Sequence, residues 1–419
     1  MVTNRGKSES GIHWAWVVLG SSFATLFVNH SIRIGAYSVL LPKMIPDLGL
    51  NMTQAGLIRT AYFFTYILFS PLMGWLTDRF GGRFVISFFC LFLGMGTFLM
   101  SRSSNLFSAI LFYGIVGMGA AAVWTPIVVL VQNWFGTKRR GLAFGILSPS
   151  YALGFGLMGV ILPIVVQNYG WRMGWLLLGI SGLILVGVNS VLLRSDPKEV
   201  GLSPWGEAGG SILSSSLNKD SFGYRDIVKK GRFWSISISY LFISAGVCII
   251  SDFIVTYGVM ELKISYPLAS ALISMMASAG IGGGMLLMTL SDYIGRKRSL
   301  LIIHVFISLS ILFILLIRDN VLLLMGGMGF FGFFYGAIWP MYGACARDFF
   351  PKEMTGRVFG LMTIFYGLGA MSSPPLTGYL ADATGTFRWP FGLGALASLL
   401  AALFIGFLKT PMEFQKDKD

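Results

Sequence analysis

Charge is scarce in this sequence. Asp, Glu, Lys and Arg make up 12 % of its 419 residues, about half the share carried by an ordinary soluble domain, and that excludes a soluble globular enzyme. Cysteine is scarcer still. Cys90, Cys248 and Cys345 all fall in apolar stretches without ligand spacing, which excludes a disulfide framework and a metal site. No nucleophile and base set or nucleotide-binding loop is present, so neither an enzyme activity nor a cofactor is expected. Acidic residues number 18 against 31 basic ones, a formal charge of +13. Such a balance points to nucleic acid only if the bases share a face.

What fills the chain is apolar: 55 % AVILMFWYC, 35 phenylalanines and a mean hydropathy of +0.74. Stretches of about 20 apolar residues are the unit that spans a bilayer. Twelve are expected, at 14–41, 54–76, 84–101, 106–133, 141–167, 173–193, 233–260, 267–290, 299–317, 321–346, 357–381 and 390–408. The first comes after a polar start and is too long for a signal-peptide core, so it reads as a mature helix. The class is an all-α polytopic membrane protein.

Sorting the bases by these stretches puts 23 on the side that carries both termini, six on the other, and two, Arg33 and Arg59, inside stretches. Lys and Arg accumulate on the cytoplasmic side. Both termini are therefore expected in the cytoplasm, with the chain in the plasma (inner) membrane. The excess charge then records orientation, and no nucleic-acid partner is expected.

The chain repeats itself. Asp78-Arg-Phe-Gly81-Gly-Arg83 returns as Asp292-Tyr-Ile-Gly295-Arg296-Lys297, 214 residues on; Trp134-Phe135 through Gly145 returns as Phe349-Phe350 through Gly360 at 215. Between the copies lies the polar stretch 194–232. The expected organisation is a six-helix bundle over 1–193, a cytoplasmic linker over 194–232 and a second bundle over 233–419. Parallel halves of this kind put a substrate site near the midplane, between them.

Gly74-Trp-Leu-Thr-Asp78-Arg79-Phe-Gly81-Gly-Arg83 resembles the signature loop of the major facilitator superfamily, and the resemblance covers essentially the whole chain. It implies twelve helices in two pseudo-symmetric six-helix bundles that rock about a central site. It also implies a gating latch at Asp78, Arg79 and Arg83, with a weaker second copy at Asp292 and Arg296, where Met288 and Tyr293 break the pattern. Trp14-Ala-Trp16-Val-Val18, and Trp134-Phe135 through Lys138-Arg139-Arg140 to Gly145, look like the monocarboxylate and oxalate/formate porters. That resemblance implies an organic-anion carrier, expected to move a monocarboxylate by proton symport or anion exchange, and adds Arg140 to the gating set. Those porters carry an acid and an arginine in helix eight, whereas 267–290 has no ionisable group, so the anion-binding charge has to come from the first half.

Three charges lie inside stretches, and each costs at least about 2.5 kcal/mol on insertion scales. Arg33 and Asp252 fall at matching depths in helices one and seven, and Arg33 is expected to bind the substrate anion or to pair with Asp252 when empty. Asn29, His30 and Tyr37, at −4, −3 and +4, form a polar stripe with Arg33. Arg59, with Tyr62 and Tyr66 after it, either lines the same cavity or snorkels outward. Asp252, the lone carboxylate, is the candidate proton carrier. Trp124, Tyr151, Tyr335, Trp339 and Tyr366 are candidate cavity aromatics. A small anion, protons and the bilayer are the expected partners of a monomer. The 21 methionines and 35 phenylalanines leave efflux of an amphipathic drug or siderophore as an alternative; a non-transporting membrane sensor is a third reading.

Overall fold

The computed structural model describes residues 13–206, 224–317, 320–351 and 354–408. Twelve long helices run back and forth: α1 (Trp14–Asp47), α2 (Met52–Phe80), α3 (Gly82–Met100), α4 (Leu106–Trp134), α5 (Arg140–Tyr169) and α6 (Trp171–Leu192), then α7 (Gly231–Met260), α8 (Tyr266–Ile294), α9 (Arg296–Leu316), α10 (Val321–Asp348), α11 (Thr355–Thr384) and α12 (Arg388–Gly406). Most extend a few residues beyond the apolar stretches that predict them. α1 passes Pro42 and Pro46 to reach Asp47. A proline removes one hydrogen bond from a helix, and here Val39, Leu40, Leu41, Met44 and Ile45, all buried, hold the turns on either side. Bases at Arg5, Lys7, Lys219, Arg318, Lys352, Lys409, Lys416 and Lys418 lie outside the described residues.

Ten of the twelve helices are long and apolar enough to cross a membrane. The exceptions are α2, with Thr, Gln, Arg and Tyr in its first half, and α11, with Gly, Ser, Thr and a Pro pair. These two pack on each other, from Met52 against Gly378 to Ile67 against Gly367. Their polar positions thereby turn inward to the partner half, which is the arrangement a lipid solvent demands.

Backbone landmarks repeat with the period read from the sequence. Gly81 and Gly295 end α2 and α8 at φ of 81° and 87°, conformations open to glycine, and Gly170 and Gly385 do the same after α5 and α11. Asn105 and Asn320, 215 residues apart, accept from the third backbone N–H of α4 and α10. Helix ends of the same kind at matching positions mark the two bundles as copies.

The halves meet between the middle of the bundle and its far end, the one opposite the termini. Met52 N–H, Thr53 N–H and the Thr53 hydroxyl all donate to the Asp382 carboxylate at 2.9, 2.8 and 2.6 Å. The Tyr266 hydroxyl donates to the Val39 carbonyl, Ser274 to that of Gly156, and Thr60 to that of Met371. Backbones touch here: a methyl group on Gly378 would fall 2.1 Å from the Met52 oxygen, and one on Gly56 2.3 Å from that of Pro374.

The polar stretch after α6 does not begin as a linker. The Trp134 indole donates to the Arg194 carbonyl, Asn133 to that of Ser195, and Asp196 caps a short 3₁₀ turn, Pro197–Val200. Trp205 then pairs its backbone with Trp134 and Gly136 and packs its ring on Trp16 at 4.9 Å and on Phe135 at 5.9 Å, with Arg139 across its face. Residues 194–206 are thus folded onto the first half.

Candidate functional site

α1 is not a regular helix. Between Trp14–His30 and Tyr37–Asp47 it makes a π turn, Ser31–Ala36, that contains Arg33. A wide turn of this kind is a recurrent device at functional sites, since it shifts the phase of the side chains beyond it. One extra residue rotates the later part of the helix by about 100°. Asn29 and His30 therefore part company with Tyr37. The His30 ring packs on Tyr151 with centroids 4.3 Å apart, and its Nδ1 bonds the Leu26 carbonyl. Tyr37 turns the other way, stacks on Tyr113 at 5.5 Å and donates to the Ala55 carbonyl. The single stripe expected through Arg33 is two.

The same turn corrects the expected ion pair. Asp252 on α7 is held by Arg59, not by Arg33. Nε and Nη2 of Arg59 donate to the two carboxylate oxygens at 2.9 and 2.8 Å, a bidentate fork. Its Nη1 donates to the Arg33 carbonyl and, at 3.0 Å, to the Tyr113 hydroxyl, which itself donates to that carbonyl at 3.2 Å. Arg59 is 1 % exposed and Asp252 0 %. Arg59 does not snorkel: Tyr37, Phe63 and Tyr62 close over its guanidinium, with ring centroids 4.8, 5.0 and 5.5 Å away.

Arg33 is left without a carboxylate among the described residues. It is 9 % exposed, its Nη2 donates to the Tyr366 hydroxyl at 3.3 Å, its Nε has no partner, and Phe63 lies under the guanidinium at 5.5 Å. The phenols of Tyr62, Tyr66, Tyr151 and Tyr366 are close enough to interact with its charge. Three more buried polar atoms in this region lack a partner: Asn29 Oδ1, the Tyr62 hydroxyl and the Tyr240 hydroxyl.

Aromatic rings continue the cluster across the halves. The Tyr151 and Tyr335 hydroxyls are 2.7 Å apart. Tyr62 stacks along Tyr66, while Tyr366 packs on Trp339 and Tyr240 with centroids 4.9 and 5.0 Å apart. Of the expected lining residues, Arg33, His30, Tyr62, Tyr66, Tyr151, Tyr335, Trp339 and Tyr366 come together, with Asn29 buried one turn before Arg33 on α1; Tyr37, Arg59 and Asp252 form the adjoining ion-pair layer. Among the described residues, no ring contact joins Trp124 to either. Tyr113, Phe63 and Tyr240 also belong to the cluster, although the sequence reading does not single them out. Tyr113, the one phenol in α4, carries the signal that could have flagged it, its isolation in an apolar helix.

Among the described residues, none of the gating candidates bridges the halves. Asp78 is exposed and has no partner among the described residues, and Arg79 lies over Trp75 and Phe80 of its own helix. Arg83 donates twice to the Ser190 carbonyl, tying α3 to the end of α6. Arg140 bonds the Phe135 and Gln132 carbonyls, both close to it in the chain. The second copy, expected to be the weaker, holds the ion-pair network: Arg296 pairs with Asp292 at 2.5 Å and Asp348 at 2.9 Å. The reason is local, because α10 ends in Asp348 beside the start of α9.

A family model described as Major Facilitator Superfamily matches residues 19–330 and 260–418. The chain is 24 % identical to a probable galactarate/D-glucarate transporter of Bacillus subtilis (strain 168), covering 100 % of this chain and 97 % of that one. It is also 24 % identical to a probable hexose phosphate transport protein of Chlamydia trachomatis, over 88 % and 86 %. Among solved structures, a bacterial homolog of the human lysosomal transporter Spinster, in an inward-facing and occupied conformation, superposes with a TM-score of 0.75 at 15 % identity, over 98 % of this chain and 99 % of that one.

Proposed function

The chain belongs to the major facilitator superfamily, and as a membrane transporter of that superfamily we propose that it carries a small hydroxylated organic anion, a monocarboxylate of the sugar-acid type. The observation that carries this reading is Arg33, a buried guanidinium with a phenol but no carboxylate beside it. An uncompensated charge in such a place is costly. Its counter-ion is the cargo. A guanidinium recognises a planar carboxylate through two parallel hydrogen bonds and stays charged when desolvated. The unpartnered Tyr62, Tyr240 and Asn29 groups suit the hydroxyls of such a substrate, and the substrates in the relatives' names, an aldarate and a hexose phosphate, are hydroxylated anions as well.

With both termini in the cytoplasm, this state is closed to the outside. Opening the far end must part α2 from α7 and so split Arg59 from Asp252. A proton on Asp252 removes the attraction between them, which supports proton symport with Asp252 as the carrier. In proteoliposomes, Arg33→Gln abolishes uptake of the anion, and Asp252→Asn loses uptake driven by a pH gradient while keeping exchange of substrate across the membrane. Unimpaired anion uptake by Arg33→Gln would overturn the assignment and favour a neutral or cationic cargo, as in drug efflux.

A further inference from the structure

The central cluster holds two guanidiniums and one carboxylate among the described residues. Asp252 takes both N–H groups of one face of Arg59, and Arg33 remains as the unbalanced cation of the cluster. Both guanidiniums lie over the same Phe63 ring, 5.5 and 5.0 Å from its centroid, which gathers the two positive charges into one cluster. In this state Asp252 and the Tyr37, Tyr62 and Phe63 rings close off Arg59, so a second acidic group reaches it only once the Arg59–Asp252 pair opens.

We propose that Asp252 is a positioning residue that sets the valence of the anion the site accepts. While ionised, it holds Arg59 and leaves one cation for a substrate of charge −1; with Asp252 neutral, Arg59 comes free and a substrate of charge −2 is balanced. Charge balance dictates this, because an unpaired ion is strongly disfavoured in a low-dielectric interior. A monoanion on Arg33 gives a neutral site with Asp252 ionised. A dianion gives a neutral site only if one proton accompanies it. The groups that face Asp252 are Arg33 and Tyr37 from α1, Arg59 from α2, Tyr113 from α4 and Cys248 from its own helix. Arg59 is therefore the group on which the rule turns.

The rule rests on Arg33 being the anion site, and it separates this chain from the relatives named for a diacid. The test is competition binding to the purified protein in nanodiscs at neutral pH, with two matched pairs of probes, gluconate against glucarate and lactate against tartronate. The wild type binds the monoacid of a pair about tenfold or more tighter than the diacid, the scale of one close charge pair. Asp252→Asn shifts that ratio toward the diacid by about tenfold or more, and Asp252→Glu keeps the wild-type ratio. A wild type that favours the diacid overturns the rule, as does an Asp252→Asn protein that binds the monoacid with an unchanged ratio. If Asp252→Asn does not fold, the wild-type ratio decides alone. Monoacid binding that survives Arg33→Gln, or the absence of binding by either pair, overturns the anion site and the rule with it.

Discussion

Arg59 donates to a carboxylate, a carbonyl and a phenol on three other helices, with aromatic rings closing the remaining sides. Deleting one partner of such a pair leaves the other charge buried alone, a cost of about 3–5 kcal/mol, whereas replacing both by apolar groups of similar size is often neutral. Arg59→Ala should therefore lower the thermal unfolding temperature sharply, and Arg59→Met combined with Asp252→Leu should recover most of it. Additive losses in the double variant would show that the two side chains are not energetically coupled. That three intramembrane charges exist, and that they would be costly, is plain from the sequence. Which arginine meets Asp252 is not, because the choice depends on how α1 and α2 are rotated about their axes, and the π turn at Ser31–Ala36 resets that rotation with no proline and with only the single glycine Gly35, which by itself does not announce it.

At the scale of elements, α2 and α11 form the seam along which the halves touch. The sequence makes them helices, but their modest hydropathy, a reason to doubt them as spans, is explained only once they are seen packed on each other. The seam is fastened by Asp382, whose carboxylate accepts three hydrogen bonds at the start of α2. A helix start favours a negative partner through its free N–H groups and its dipole. α2 has its own capping box of Asn51 with Gln54, so losing Asp382 leaves the helix intact and loosens the seam alone. A cap of this kind contributes about 1 kcal/mol, about a fivefold change in population. Asp382→Ala should accordingly move spin labels at Tyr169 and Tyr379, both exposed and one on each half, toward longer separations in pulsed-dipolar measurements. An unchanged distance distribution would relieve Asp382 of this role.

At the scale of the molecule, duplication is legible because caps and turns are local: glycines with positive φ and the Asn105 and Asn320 caps keep the spacing that the loop motifs show. The division of 194–232 is not, since Ser, Gly and Pro look alike whether they hang free or lie against a helix end. Trp205 is the informative residue, a large ring in a polar stretch, and it is bonded to the Trp134 backbone and wedged between Trp16 and Phe135. The two bundles are therefore not joined at the residue where α6 stops. In terms of covalent continuity, the first bundle draws on the chain at least as far as Trp205, and a cut at 194 removes a keystone from it while a cut after 206 leaves that keystone in place. Co-expressed fragments 1–206 and 207–419 should reassemble into a protein that binds its anion, while 1–193 with 194–419 should assemble poorly, a contrast that co-purification of the two fragments reads directly.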